Sequence, residues 1–151
     1  MKKILDKELS ISKIDEKTHK KIFFNIEEEM SELKIEFEYS PKTAIDKNNI
    51  MAAFSYDRCE MTSEEALFFK EEYLKGNKEL KNLATLSLYQ EGEYMGCAHR
   101  GLDKQEIFIS TGDSTPGFKT GRVKKGQWEI VISIHGLNTD SMNVSLRVYV
   151  E

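Results

Sequence analysis

A chain of 151 residues is sized for one domain around one core, so residues 1–151 are read as a single unit. Its 39% apolar and 32% charged residues fit a globular protein with a well-solvated surface, and a formal net charge of -4 offers no general attraction for a phosphate backbone. No window nears the roughly 18 apolar residues that a membrane helix needs, and nucleic acid and membrane are therefore not expected partners.

The N-terminal stretch "MKKILDKELSISKIDEK" has two early lysines but neither a sustained apolar segment nor a small-residue cleavage site, so it reads as a cytoplasmic chain without a signal peptide. Cys59 and Cys97 then default to reduced thiols, because their separation matches no metal-binding spacing. A first strand is expected around residues 8–14, where Leu9 and Ile11 share a phase. "KIFFNIEE" alternates Ile22, Phe24 and Ile26 with Lys21, Phe23 and Asn25, and "ELKIEFEYS" alternates Leu33, Ile35, Phe37 and Tyr39 with charged residues.

At residue 40 the period changes. Ser40 is suited to cap a helix beginning at Pro41, and Ile45, Ile50, Met51 and Phe54 recur at roughly helical spacing. A second helix follows Thr62 and Glu65, which form a capping box, and ends at Gly76. Residues 41–80 thus read as a two-helix insertion whose stripe of Ala66, Leu67, Phe69, Tyr73 and Leu74 should dock on a sheet, covering Phe23 and Tyr149.

Alternation returns in "NLATLSLYQ", "QEIFIST", "QWEIVISIH" and "MNVSLRVYVE", the third of these turning as a hairpin through "GLNTDS" into the fourth. One-sided alternation excludes a parallel sheet, whose strands are apolar on both faces. The fold class is therefore mainly β, an antiparallel jelly-roll-like sandwich of seven or eight strands. Between its last three strands runs "GDSTPGFKTGRVKKGQWEI", in which Pro116 sets a crossing between sheets, Gly117 and Gly121 permit conformations a side chain forbids, and Trp128 opens an inward-facing row.

These residues carry a resemblance. The step Thr115-Pro116-Gly117-Phe118, then Gly121, Gly126 and Trp128 with an apolar strand, preceded by His99, Arg100 and Gly101, is similar to the N-terminal β-sandwich of carbaryl-hydrolase-like (CehA/McbA-type) metallohydrolases. That family joins the sandwich to a PHP (polymerase-and-histidinol-phosphatase) catalytic domain whose metal-binding motifs begin with a His-x-His pair. The three histidines here, His19, His99 and His135, contain no such pair. What the resemblance implies is an accessory or interaction module, partnered by a PHP-type catalytic domain or another protein, with no cofactor and no catalysis of its own.

Residue by residue, the candidates for a ligand site are His99, Arg100 and Asp103 in "GCAHRGLDK" together with Phe118. Imidazole and guanidinium suit an anion, and His99 with Asp103 would be half of a metal site. His135 reads as an outward or partly covered histidine, and His19 carries no assigned role. An alternative function is small-ligand or carbohydrate binding by the loops around His99–Arg100 and Thr115–Phe118, for which the off-phase or loop aromatics Phe23, Tyr89, Tyr94, Phe118 and Tyr149 would be platforms if nothing covered them. A cryptic enzyme is the third reading; no Gly-x-Ser-x-Gly elbow supports it.

Overall fold

Alternating side chains become strands where each row finds a partner row, and ten strands form in this way. The computed structural model describes residues 1–44, 62–75 and 79–151. Its strands are β1 (Lys2–Ser12), β2 (His19–Ile26), β3 (Glu32–Ser40), β4 (Thr43–Ala44), β5 (Leu80–Lys81), β6 (Leu83–Gln90), β7 (Glu93–Ala98), β8 (Lys104–Ser110), β9 (Gly126–Gly136) and β10 (Ser141–Val150). Among the described residues one α-helix, α1 (Ser63–Lys75), lies between β4 and β5.

Eight strands make two four-stranded antiparallel sheets. Sheet I has the order β1-β10-β3-β8 and sheet II the order β2-β9-β6-β7. Only β6 and β7 are joined as a hairpin within one sheet; every other connection between these eight strands changes sheet. The inward rows meet in a single core. Leu33, Ile35, Leu146 and Val148 of sheet I and Leu86, Ile130 and Ile132 of sheet II are fully buried within it. Trp128 is also fully buried, stacked on Phe24 of the neighbouring strand with ring centroids 6.3 Å apart, and its indole Nε1 donates to the Lys124 carbonyl at 3.0 Å. Among the described residues no helix is long and apolar enough to cross a membrane.

Three expectations about the elements need correction, and one holds. The first strand begins at Lys2 rather than near Glu8, because its charged N-terminal half is a sheet edge that pairs with β10 on one side only. The expected hairpin through "GLNTDS" is absent: β9 and β10 belong to different sheets, and the turn between them is pinned by Asn82 Oδ1 accepting the Asn138 amide at 2.7 Å. No helix begins at Pro41. Thr43 and Ala44 instead pair with Lys81 and Leu80, closing the base of the insertion, while Ile45, Ile50, Met51 and Phe54 lie outside the described residues, as do Cys59 and Gly76. The second helix forms with its expected cap, since Glu65 accepts the Thr62 amide at 2.8 Å and Thr62 Oγ1 accepts the Glu65 amide at 3.2 Å.

Among its described side chains that helix buries only part of the expected stripe, with Tyr73 half-buried. Ala66 is buried, but Leu67, Phe68 and Phe69 are 55%, 60% and 44% exposed. Phe23 is left open on sheet II, and Tyr149 on sheet I is covered by Lys34 and bonded to Glu36 rather than shielded by a helix.

Candidate functional site

The residues nominated from sequence do not form one cluster. Arg100 donates from Nη2 to the Pro116 carbonyl at 2.6 Å, clamping the crossing loop. Asp103 uses its main-chain carbonyl to accept the Tyr39 amide at 2.9 Å. Phe118 is buried in the core. His99 is exposed and lies against His135, ring centroids 5.9 Å apart, rather than with Asp103.

The Thr-Pro-Gly-Phe loop has a structural task that accounts for its residues. Thr115 exchanges bonds with the free edge of β8, donating its amide to the Phe108 carbonyl and accepting the Phe108 amide on Oγ1, each at 2.9 Å. Gly117 then accepts the Cys97 amide at 3.1 Å, and Lys119 donates to the Met95 carbonyl at 2.8 Å, which covers the free edge of β7. The approach is so close that a Cβ on Gly96 would sit 2.3 Å from the Gly117 carbonyl oxygen, and Gly117 itself has φ +99°. One loop therefore protects an edge of each sheet.

The outer faces of the two sheets differ in chemistry. On sheet I, Arg147 is flanked by Asp6, Glu8 and Glu36 at 3.6, 3.9 and 3.8 Å. Lys34 lies between Glu36 and Glu106 at 3.0 and 3.2 Å, and Lys104 pairs with Glu38 at 3.0 Å. The charges there answer one another. Sheet II presents aromatic and imidazole groups instead. Strand register sets Phe23, Glu129, Tyr89 and Tyr94 in one row across all four strands. Phe23 and Tyr94 are 53% and 45% exposed, and the Tyr89 and Tyr94 rings meet edge to face at 5.5 Å. Lys21 holds the Glu129 carboxylate at 2.9 Å beside the row. The Tyr94 phenol is pushed up to about 12, first by its hydrogen bond to the Cys97 thiol and then by partial desolvation, so it stays a neutral ring with a polar tip.

Two rows further along, all three histidines of the chain come together. His19 and Thr85 both stand opposite Ser133 in the register, and His19 Nδ1 is 2.8 Å from Ser133 Oγ. His135 Nε2 is 2.8 Å from Thr85 Oγ1, and His99 closes over His135 from the far side of β6. Partial desolvation lowers the pKa of His135 below the usual imidazole value, and the neighbouring His99 and His19 push it the same way.

Two hydroxyl–imidazole pairs resemble the start of a nucleophile–base dyad. Ser133 and Thr85 are buried under their rings, however, and the three imidazoles find hydroxyls or one another rather than a carboxylate among the described residues. The hydroxyls orient rings. Nor does any group of three or more His, Cys, Asp or Glu side chains among the described residues converge as a metal site.

Sequence reasoning noticed Phe23, Tyr89 and Tyr94 as outward aromatics and missed the histidine group. Its signal was weak, since only the outward phase of His135 within its own strand was visible. The fold and this face define an all-antiparallel β-sandwich with one charge-compensated face and one face of aromatic and imidazole groups. No family model matches the chain, and no curated protein matches it either.

Proposed function

We propose that this domain is a non-catalytic binding module whose working surface is the outer face of sheet II, and that its ligand is a glycan chain. The observation that carries this reading is the row Phe23–Glu129–Tyr89–Tyr94. Phe23 and Tyr89 stand two strands apart, about 10 Å, so alternate sugar rings of an extended oligosaccharide can stack on them through their C–H faces. Glu129, Lys21 and the Tyr94 hydroxyl supply directional bonds between the stacking positions, the mix of apolar platform and few polar groups that binding sites use. The eight strands passing between two sheets support the jelly-roll reading of the topology.

Non-catalytic is the better reading because the described side chains bring no nucleophile, base and electrophile-stabilising group to one point. In a protein of the PHP kind, such a module would act as an accessory domain presenting substrate or contacting the catalytic domain. That role and the glycan site are compatible. Isothermal titration with hexasaccharides, neutral (cellohexaose, xylohexaose, mannohexaose) and acidic (hexagalacturonate), tests the reading. Binding of one of them, weakened about fivefold or more by Phe23→Ala and by Tyr94→Ala, is expected from the loss of about 1 kcal/mol each, stacking at Phe23 and a hydrogen bond at Tyr94. If none binds, or if the variants bind as the parent does, the glycan reading falls.

A further inference from the structure

Three imidazoles on one patch of a chain with only three histidines call for a chemical reason. They sit on three different segments: His19 at the start of β2, His135 near the end of β9, and His99 just after β7. Within the patch the polar partners are neutral, Ser133 Oγ for His19 and Thr85 Oγ1 for His135, each at 2.8 Å. When protonated, the rings gain no carboxylate partner there, and each added charge repels the others.

Of the charged side chains on the segments around the patch, Lys21, Glu129, Glu16 and Arg100 have partners of their own, while Lys17 and Asp103 are held through their main chains. From β2, Lys21 pairs with Glu129 of β9 at 2.9 Å. Lys17, just before β2, is tied through its amide to the Ile134 carbonyl at 2.8 Å, and the Glu16 carboxylate accepts the Leu137 amide at 3.0 Å. From β7, the side chains on this face of the sheet are Tyr94 and the Cys97 thiol, which raises the pKa of the Tyr94 phenol. After β7, Arg100 is turned to the Pro116 carbonyl, and the main chain of Asp103 to the Tyr39 amide. Strand β6 contributes Thr85 and Ser87, neither of which titrates near neutrality.

We infer that His19, His99 and His135 form a proton-gated subsite for an oxyanion substituent of the ligand, a carboxylate or a sulfate, so that the domain's preferred glycan is an acidic one. This rests on the glycan reading above. The histidine row lies four residues along the strands from the aromatic row, about 13 Å, so an oligosaccharide stacked across the strands on Phe23 and Tyr89 reaches the imidazoles when the rings beyond Phe23 turn along β2. The incoming anion supplies the countercharge that the patch lacks, and protonated imidazoles give it charge-assisted hydrogen bonds. Binding and protonation are then linked. Each favours the other, and acidic-ligand affinity rises as pH falls through the histidine range.

Two arms test this. In the first, histidine Cε1–H resonances of the full chain are followed by NMR during titration with sodium sulfate and with sodium acetate, sodium chloride holding ionic strength constant. At about pH 5.5 the three resonances should shift together and saturate, with affinity about tenfold lower at about pH 7.5. His99→Gln and His135→Gln, which change exposed side chains, should each abolish most of the effect. Shifts no larger than chloride gives, or Gln variants that bind sulfate as the parent does, would overturn the subsite.

In the second arm, hexagalacturonate and a sulfated hexasaccharide are compared with fully methyl-esterified hexagalacturonate at the same two pH values. The two acidic probes report which oxyanion is preferred. The subsite predicts that an acidic probe gains affinity on acidification, that the neutral ester does not, and that the Gln variants remove the gain. An ester that binds through Phe23 and Tyr94 with no advantage for either acidic probe at low pH would sink the inference and leave the glycan reading standing. Sulfate held by the histidines while no oligosaccharide binds would sink the glycan reading and leave the oxyanion subsite standing.

Discussion

Trp128 shows what a single residue's phase in a strand can reveal. It alternates with Ile130, Ile132 and Ile134 on the inward side of β9, and all four are buried between the sheets. Truncation to alanine removes a large apolar surface, its stacking on Phe24 and the indole bond to Lys124. Trp128→Ala should therefore cost about 3–5 kcal/mol in denaturant unfolding, and native fluorescence of the parent should be blue-shifted and poorly quenched by iodide. A red-shifted, easily quenched signal would mean that the inward row is misassigned. The histidines are the opposite case. Phase gave His135 its outward direction and left His19 without a role; their meeting depends on β2 and β9 being neighbours and on His99 reaching across β6, and strand order is a long-range property that local pattern does not contain. Arg100 and Phe118 misled for a related reason: residue type alone did not reveal that one clamps a backbone carbonyl and the other fills the core.

At the scale of elements, what is encoded locally was legible and what depends on distant pairing was not. The cap on α1 involves residues three apart and forms as its sequence motif specifies. Thr43 and Ala44 take their conformation from Lys81 and Leu80, some forty positions away, so the helix start read at Pro41 was overridden by a strand pairing. Asn82 secures that base. It is fully buried, its Nδ2 donates to the Pro41 carbonyl and to Thr139 Oγ1 at 2.8 Å each, and its amide donates to the Lys42 carbonyl at 2.8 Å. The consequence reverses the expectation of a docked insertion. Because β4 and β5 bring the two ends side by side, replacing residues 45–78 with a short turn should leave a folded, monomeric sandwich. Its melting temperature should stay within a few degrees of the parent's, about 1 kcal/mol or less. Aggregation of the shortened protein, seen by light scattering, would show that α1 shields sheet surface after all.

The whole molecule divides its charge between faces, and that division determines how it should respond to acid. Two sets of groups have depressed folded-state pKa values, and they act in different pH ranges. His135 is held below its ordinary value, so the unfolded chain takes up its proton first; the stability this confers is present above about pH 6.5 and is lost as pH falls from there toward the folded value. Several carboxylates are depressed by their partners: Asp15 by Lys20 and then the Ser12 amide, Glu36 by Lys34 with help from Tyr149, and Asp6 by Lys3. Their contribution is intact above about pH 4 and is lost only as pH falls through their lowered values. Because these pairs lie on the solvated surface, each is worth little and salt screens it. A plot of urea midpoint against pH should accordingly descend in two limbs. His135→Gln should remove the upper one without touching the lower, while raised sodium chloride should blunt the lower. A single descent below about pH 4 in the parent, unchanged by the substitution, would show that the imidazole group is as free to protonate in the folded protein as in the unfolded chain. The desolvation and crowding ascribed to that patch would then be wrong.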